Sequence, residues 1–302
     1  MEAGKENEIT SSGLSDYINL FMHEPICKDE LFIANISDLS ENADKQIYPI
    51  RLNAFSILLL QEGEITLEMD CRVHHLAAGS VMEMGIDGLV EKIIFSSGVK
   101  GHLLLVSRDL MKEVINSLAS LFPGNTLKLK LMYPSRRLDA QELRTLTSIF
   151  RQLGIYIADQ RHFYRRQLIK NMLGILIMEL NQGLWKRYGD DSEPISGYHS
   201  IKEQFRQLLL QHCKEEHEVS FYANKLCVTP DHLSKVMRNY SGRSAAKWID
   251  HMLVTEAKIM LRKPNRSVQE VAEELRFSDQ SAFGKFFRKQ TGISPMAYKK
   301  GK

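Results

Sequence analysis

The stretch "FYANKLCVTPDHLSKVMRNYSGRSAAKW", residues 221–248, has a second version near the C-terminus, "VAEELRFSDQSAFGKFFRKQTGISPMAY", residues 271–298. Ala223 matches Ala272 at an offset of 49 residues. After one extra residue in the second version the offset becomes 50, which aligns a Ser-Gly pair with a Thr-Gly pair. Agreement in residue type over such a length predicts two copies of one structural unit.

Each copy has the sequence pattern of a helix-turn-helix unit. In the second copy, Ser267 and Glu270 form an S-x-x-E capping box, which predicts the start of one helix. Ser278 is predicted to cap the next helix, with Asp279 in its first turn, where a carboxylate suits the positive end of the helix dipole. Gly292 is well placed to end that helix.

The first copy follows the same plan, with Thr229 as the cap and Pro230 at the first helical position. Both capped helices carry an apolar face that we expect to be buried. These faces consist of Leu233, Val236 and Met237 in the first copy and of Phe283, Phe286 and Phe287 in the second.

A helix without internal Pro or Gly is predicted between the copies, from Ser244 to Lys263. Its roughly eighteen helical residues would span about 27 Å. A rod of that length, with packing offsets, can set two recognition helices about one DNA turn (~34 Å) apart. We therefore expect the two units to enter two adjacent major grooves of double-stranded DNA.

Residues from about 201 to 300 resemble the DNA-binding domain of the AraC family of bacterial transcription regulators. The resemblance rests on the repeat and on the skeleton F-x-x-x-F-x-x-x-x-G-x-S-P, which begins at Phe283. Gly284 and Gln290 depart from the residue types that are frequent in the family. Gly284 removes one potential side-chain contact, which puts a role of that position in DNA readout in doubt.

The resemblance implies that residues near the start of each recognition helix read bases. At the matching positions stand Asp231, Ser234, Lys235, Gln280, Ser281 and Lys285. Lys suits the acceptors of guanine, Gln suits adenine, and Asp can accept from cytosine. Asp231 has the alternative role of capping its own helix. We assign Arg238, Arg266, Arg288 and Lys289 to phosphates, with a solvated surface as the alternative for each.

The distribution of charge supports a polyanionic partner for the C-terminal part. From Gly197 onward there are 19 Lys and Arg against 11 Asp and Glu, whereas residues 1–196 hold 21 against 26. Such an asymmetry indicates nucleic-acid binding at the basic end. A basic face that is only solvated is the alternative.

Short apolar runs broken by turn residues fill the chain between Leu31 and Ser107 and predict a small β-barrel or sandwich. Apolar and polar residues alternate along Glu64–Met69, as in a strand with one buried face. Gly63 and Gly79 stand where hairpin turns need a permissive backbone. The segments "ILLLQEGEITLEMD" and "HHLAAGSVMEM" resemble the cupin-like barrels that family members carry at the N-terminus. This resemblance, over about residues 29–107, implies a site for a small-molecule effector.

A helical pattern replaces the strands from Leu138 onward. An apolar stripe with a spacing of three and four residues consists of Leu143, Leu146, Phe150, Leu153 and Ile157. The stripe packs either on the chain's own barrel or against a second copy, and we assign it to dimerisation. A second helix is predicted from about Arg161 to Leu184, and the polar segment that follows is the predicted linker.

The predicted fold class is α+β: a cupin-like β-barrel with a following helical pair, then an all-α domain of two helix-turn-helix units joined by a helix. The predicted domains are a sensor domain at 1–135, a helical dimerisation region at 136–188, a linker at 189–200 and the DNA-binding domain at 201–302.

Several functional classes are disfavoured. Cys27, Cys71, Cys213 and Cys227 are scattered, so we expect reduced cytosolic thiols and no zinc cluster. No signal peptide or membrane span is expected, which favours a cytoplasmic protein without membrane contact. His74 and His75 are adjacent in a probable strand and point to opposite faces, and His102 stands alone, so we expect no metal and no other cofactor. No nucleophile elbow or phosphate loop is found, so we expect no enzyme activity.

The sequence thus predicts a sequence-specific transcription regulator controlled by a small-molecule effector. The resemblance implies a homodimer and activation through contact with RNA polymerase. Two alternatives remain. In the first, the N-terminal domain serves only dimerisation or protein contact. In the second, a cupin enzyme is fused to a DNA-binding module.

Overall fold

The computed structural model describes residues 30–41, 49–52, 54–70, 72–85, 88–118, 121, 134–188, 197–263 and 265–300. The chain divides into two compact units, residues 1–191 and 192–302. Residues 189–196 of the predicted linker lie outside the described residues, as do Cys27 and Cys71, and a helix has already begun at Gly197.

The N-terminal unit contains two antiparallel sheets and four described helices. Its elements are β1 (Leu31–Asn35), α1 (Ile36–Glu41), β2 (Ile50–Arg51), β3 (Ala54–Glu62), β4 (Glu64–Met69), β5 (Arg72–Ala77), β6 (Ser80–Met84), β7 (Leu89–Phe95), β8 (Lys100–Ser107), α2 (Arg108–Leu118), β9 (Ser135–Arg137), α3 (Ala140–Ala158) and α4 (Arg165–Tyr188). The strand orders are β1-β8-β3-β6-β9 in the first sheet and β2-β7-β4-β5 in the second.

The two sheets pack their apolar faces against each other, because strand alternation puts one set of side chains on each inner face. In β4, Ile65, Leu67 and Met69 are buried in this shared core, as the alternation predicts. Gly63 and Gly79 have φ angles of 82° and 77°, so both turns use the left-handed backbone that glycine adopts freely. Each of these turns joins strands of different sheets, β3 to β4 and β5 to β6, so the prediction of hairpins at the two glycines is wrong.

The first sheet is buried on both faces, because helices cover its outer side. Alternate residues of β3 and β8, among them Leu59 and Leu104, belong to a second core that also contains residues of α2, α3 and α4. The apolar stripe of α3 lies in this core: Leu146, Phe150, Leu153 and Ile157 are buried and Leu143 is partly buried against it. The assignment of these five residues to dimerisation is therefore wrong, because the chain's own sheet and α4 already cover them.

The helical region predicted from residue 136 begins inside a strand. The short strand β9 pairs with the edge strand β6, with Ser80 opposite Arg137. Arg136 points inward and forms an ion pair of 2.8 Å with Glu142, which also belongs to the capping box of α3. The strand and the helix are thus held together by a nearly buried charge pair.

The C-terminal unit is helical in all of its described elements. These are α5 (Gly197–His212), α6 (Val219–Lys225), α7 (Pro230–Ser241), α8 (Ala245–Arg262), α9 (Val268–Glu274), α10 (Gln280–Thr291) and α11 (Pro295–Lys299). The long helix α8 packs against both α7 and α10, and most of its residues are buried. The predicted α+β fold class is confirmed.

Candidate nucleic-acid interface

The turns of the two helix-turn-helix units have the same backbone geometry. The first unit is α6 and α7, and the second is α9 and α10. Cys227 and Arg276 occupy the turns with left-handed φ angles of 54° and 55°. One residue later, the backbone N–H of Val228 and of Phe277 donates to a carbonyl five residues back, at 3.0 Å in both units. The repeat seen in the sequence is therefore a repeat of structure.

The start of each recognition helix is fixed by a side-chain cap. Thr229 accepts the backbone N–H of His232 at 3.2 Å, as predicted. In the second unit the cap is Asp279, which accepts the N–H of Ala282 at 2.8 Å, and the prediction that Ser278 caps α10 is wrong. Ser278 instead donates its hydroxyl to Asp279. The bond from Ala282 holds the pKa of the Asp279 carboxyl below its ordinary value.

Asp231 does not serve as the cap of its own helix, because Thr229 takes that position. Its carboxylate is exposed in the first turn of α7. The capping role considered for Asp231 is therefore wrong, and its contact with a base stays a prediction.

The inner faces of the recognition helices fill two parts of the domain core. Leu233, Val236 and Met237 are buried in α7. In α10, Phe283 and Phe287 are fully buried and Phe286 is partly buried. Phe277 packs from the turn against Phe283 and Phe286, with ring centroids 5.3 and 5.2 Å away. With these faces in the core, the opposite faces are left to solvent.

A side-chain hydrogen bond joins the C-terminal end of each recognition helix to α8. The indole N–H of Trp248 donates to the hydroxyl of Ser241 at 2.7 Å. The side-chain amide of Gln290 donates to Asp250 at 3.0 Å. Gln290, one of the departures from the family pattern, thus helps to fix α10 on the helix that joins the two units.

The outer faces present the predicted DNA-contacting residues. Asp231, Lys235, Arg238, Gln280, Ser281, Lys285, Arg288 and Lys289 are exposed, and Ser234 is half-buried. Five of these side chains are cations, and none of the five forms an ion pair within 4 Å in the described part of the chain. Lys285 lies near Asp279 and contributes to the lowered pKa of that carboxyl. Uncompensated cations on an exposed helix face attract a polyanion, and phosphates are the anions that DNA offers.

Arg266 differs from the other residues assigned to phosphates. It lies in the loop before α9, half-buried, and forms an ion pair of 2.9 Å with Glu274. Its charge is therefore partly compensated within the chain. The roles of individual residues toward bases and phosphates stay predictions.

The described histidines of the N-terminal unit do not assemble a metal site. His102 lies on the outer face of β8, stacked on Phe150 of α3 with ring centroids 5.9 Å apart, and burial lowers its pKa. His75 points away from the sheet core and lies 3.2 Å from the hydroxyl of Thr66. Among the described residues, no three His, Cys, Asp or Glu side chains lie together as a metal centre requires.

The two described cysteines, Cys213 and Cys227, are free thiols, the first buried and the second exposed. In the part of the chain that the structure describes, no helix is long and apolar enough to cross a membrane.

Comparison with known proteins identifies a helix-turn-helix domain at residues 222–301. The chain is similar to the arabinose operon regulatory protein of Salmonella typhimurium, with 27% identity over 177 residues, which are 53% of this chain and 62% of that protein. It is also 27% identical to the raffinose operon transcriptional regulatory protein RafR of Pediococcus pentosaceus, over 49% of this chain and 56% of that one. The chain thus spans less than two thirds of either relative.

Among solved structures, the chain is similar to ToxT from Vibrio cholerae with a bound unsaturated fatty acid. The TM-score is 0.45 at 12% identity, with 90% of this chain and 96% of that chain covered. At this score the likeness supports no conclusion about function.

Proposed function

We propose that this chain, whose C-terminal domain is a helix-turn-helix domain of the AraC type, is a sequence-specific DNA-binding transcription regulator. The observation that carries the proposal is the duplicated recognition helix. Two helices, α7 and α10, follow turns of the same geometry, begin at a side-chain cap and have an exposed face whose cations form no ion pair within the described chain. The relatives named above are themselves regulators of transcription.

The proposed mode of binding is insertion of α7 and α10 into two adjacent major grooves. Base contacts are proposed for Asp231, Ser234, Lys235, Gln280, Ser281 and Lys285, and phosphate contacts for Arg238, Arg266, Arg288 and Lys289. The connecting helix α8 has 18 residues, which corresponds to about 27 Å. This length supports a spacing of the two helices close to one turn of DNA. The side-chain hydrogen bonds from Trp248 to α7 and from α10 to Asp250 help to fix both helices on α8.

Binding of the full-length protein to DNA fragments from around its own gene, across a salt series, tests the proposal. We expect tight binding to a discrete fragment, with the logarithm of the affinity falling by about 0.9 per phosphate contact for each tenfold rise in salt. Lys92→Ala, at an exposed lysine on the outer face of the second sheet, is the matched control and should bind like the original. Weak binding that is indifferent to sequence would overturn the proposal.

The N-terminal unit is proposed to bind the effector between its two sheets. A cavity of about 40 Å³ lies there, lined by inner-face residues of both sheets. The names of the two relatives refer to arabinose and raffinose operons, so a sugar is the ligand that these names suggest. A difference in DNA affinity with and without ligand would demonstrate control by an effector.

We further propose activation through RNA polymerase and a homodimer, and no catalytic activity. Because the stripe of α3 is buried, a second copy would have to contact other surfaces. Exposed apolar side chains on these helices are Ile155 on α3 and Ile175 and Met178 on α4. Light scattering on Met178→Lys should show a shift toward monomer if α4 is part of the dimer interface, and an unchanged mass would exclude this position.

A further inference from the structure

The cavity between the two sheets is lined almost entirely by hydrocarbon side chains. Of its twelve described lining residues, eleven are Leu, Ile, Val, Met or Phe. The remaining one is Ser56, which is fully buried on the inner face of β3. Its hydroxyl is 3.5 Å from the carbonyl of Ala54, at the limit of a hydrogen bond. Among the lining residues that the structure describes, Ser56 thus offers the one polar side-chain atom.

Most ionisable groups of the same sheets lie away from the cavity. His102 faces α3 on the outer side of the first sheet, and His75 faces away from the core of the second. Arg72 and His74 pair with Met69 and Leu67, so they share the inner face of the second sheet, but neither lines the cavity. Asp70 is buried, but its carboxylate accepts the backbone N–H of Leu89 at 2.8 Å, at the end of a strand. No cation and no carboxylate is among the described residues that line the cavity.

From this lining we infer that the effector is a small, uncharged, apolar molecule and not a sugar or a carboxylate. The inference rests on the proposed function and assigns a chemical class to its effector. A sugar would bury several hydroxyls against a wall that holds one hydroxyl, and each hydroxyl without a partner costs free energy. Among the described residues that line the cavity a carboxylate would find no counter-charge, so burying it there costs far more.

The size of the cavity restricts the ligand to a small molecule. About 40 Å³ exceeds the roughly 10–15 Å³ that one water molecule needs, but a water would find almost no hydrogen-bond partners there. An apolar cavity of about 150 Å³ stays dry and binds benzene, so this smaller cavity has to widen to take a ligand of that size. A ligand larger than the cavity is accommodated by unbranched, flexible side chains such as Met84, which also lines it.

Thermal unfolding of the full-length protein with three probes tests the inference. Benzene represents the apolar class, L-arabinose the polyhydroxylated class and hexanoate the charged class. We expect benzene, at about a hundred times its dissociation constant, to raise the Tm of the N-terminal unit by about 5 °C, because a ligand that binds the folded state stabilises it. Arabinose and hexanoate should leave the Tm unchanged. Stabilisation by either of them, or none by benzene, would overturn the inference.

A matched pair of variants locates the site. Val90 is buried and lines the cavity from β7, whereas Val73 is 54% exposed on the outer face of β5. Val90→Phe should fill the cavity and abolish the effect of benzene, and Val73→Phe should retain it. Benzene stabilisation that survives Val90→Phe would place the ligand elsewhere and contradict the inference.

A second variant covers the case in which Val90→Phe does not fold. Ser56→Ala removes the one described polar side-chain atom of the lining. Benzene affinity should be equal or higher in this variant, because an apolar ligand gains nothing from the hydroxyl. A loss of affinity for the bound probe would show that the hydroxyl recognises it, and the class would be wrong.

DNA binding separates this inference from the proposed function. If benzene binds in the cavity and DNA affinity is the same with and without it, the site is confirmed and control by an effector fails. If specific DNA binding is intact and benzene has no effect on the Tm, the inference fails alone.

Discussion

Helices α7 and α10 have the same backbone geometry but differ in the side chains that cap them and pack in their cores. Helix α7 is capped by the hydroxyl of Thr229 and buries aliphatic side chains, whereas α10 is capped by the carboxylate of Asp279 and buries phenylalanines. Both end at a glycine with a left-handed backbone, Gly242 at φ 72° and Gly292 at φ 82°. The two units share their backbone hydrogen bonds and turn conformations, so these features define the helix-turn-helix unit.

The parts that differ decide how each unit responds to substitution, to pH and to DNA. Outside the core, α7 presents an acidic residue, Asp231, beside Lys235 and Arg238, whereas α10 presents Lys285, Arg288 and Lys289 in addition to its cap. We therefore expect phosphate contacts to contribute more to the DNA affinity of the second unit than to that of the first.

The largest expected difference concerns the cores. Phe287 and Met237 are matched residues, and both are buried. Phe287→Ala should lower the free energy of unfolding by ~3–5 kcal/mol and Met237→Ala by ~2–5 kcal/mol. The loss should be larger in α10, because removal of the larger side chain leaves the larger cavity. Urea unfolding followed by fluorescence of Trp248, in a Trp185→Phe background, measures both.

Phe286→Ala is the control for this comparison. Because Phe286 is only partly buried, this substitution should lower the free energy of unfolding by less than Phe287→Ala does. An equal or larger loss for Met237→Ala would show that the α7 side of the core cannot relax, and that the aromatic packing of α10 adds no stability.

The next difference concerns the bases that are read. Lys235→Ala and Lys285→Ala should each weaken specific DNA binding by ~1–3 kcal/mol, because each lysine is expected to contact base acceptors. Preference should be relaxed at two separate half-sites about one DNA turn apart. Binding to a set of single-base operator variants measures this. Loss of preference at the same bases in both variants would refute the two-groove arrangement.

The caps predict a difference in pH dependence. Thr229→Ala should destabilise the C-terminal unit by ~0.5–2 kcal/mol at every pH, because a hydroxyl does not titrate in this range. The pKa of Asp279 is lowered by its bond to the N–H of Ala282, so its contribution is complete above the pKa of the unfolded chain. That contribution is lost as the pH falls through the pKa of the folded state.

Urea unfolding of the variants between neutral and acidic pH tests this difference. The difference in the free energy of unfolding between the original protein and Asp279→Ala should become smaller toward acidic pH. The corresponding difference for Thr229→Ala should stay constant. Asp279→Asn keeps a side-chain acceptor without the titrating proton, so it should unfold like the original at neutral pH and show a weaker pH dependence. A constant gap for Asp279→Ala would mean that its cap bond is not made in solution.

Local signals in the sequence were sufficient for most of the C-terminal unit. The repeat, the capping box at Ser267 and the glycine at the end of α10 are all confirmed. The error at Ser278 arose because serine and aspartate are equally good caps. The offset changes from 49 to 50 between Phe277 and Phe283, so the repeat aligns Thr229 with either Ser278 or Asp279, and the structure shows that Asp279 is its counterpart.

Tertiary pairing was harder to predict. The stripe of α3 shows which face is apolar, but not which surface covers it. A signal was available in β3 and β8, where the runs "ILLL" and "LLLV" lack alternation and indicate strands buried on both faces. The strand β9 has no such signal, because three polar residues become a strand only through the edge of β6.

The smallest expected effect concerns Gly284, whose counterpart in α7 is Ser234. A Cβ built at Gly284 meets nothing within 4 Å in the chain, so Gly284→Ala is free of clashes. It should stabilise α10 by ~0.5–1 kcal/mol, because alanine loses less backbone entropy than glycine in a helix. Specific DNA affinity should change by less than about two-fold, since Ser234 carries a larger side chain at the matched position. Stability gained together with affinity lost by about ten-fold would contradict this, and would mean that α10 lies closer to the DNA than α7 does.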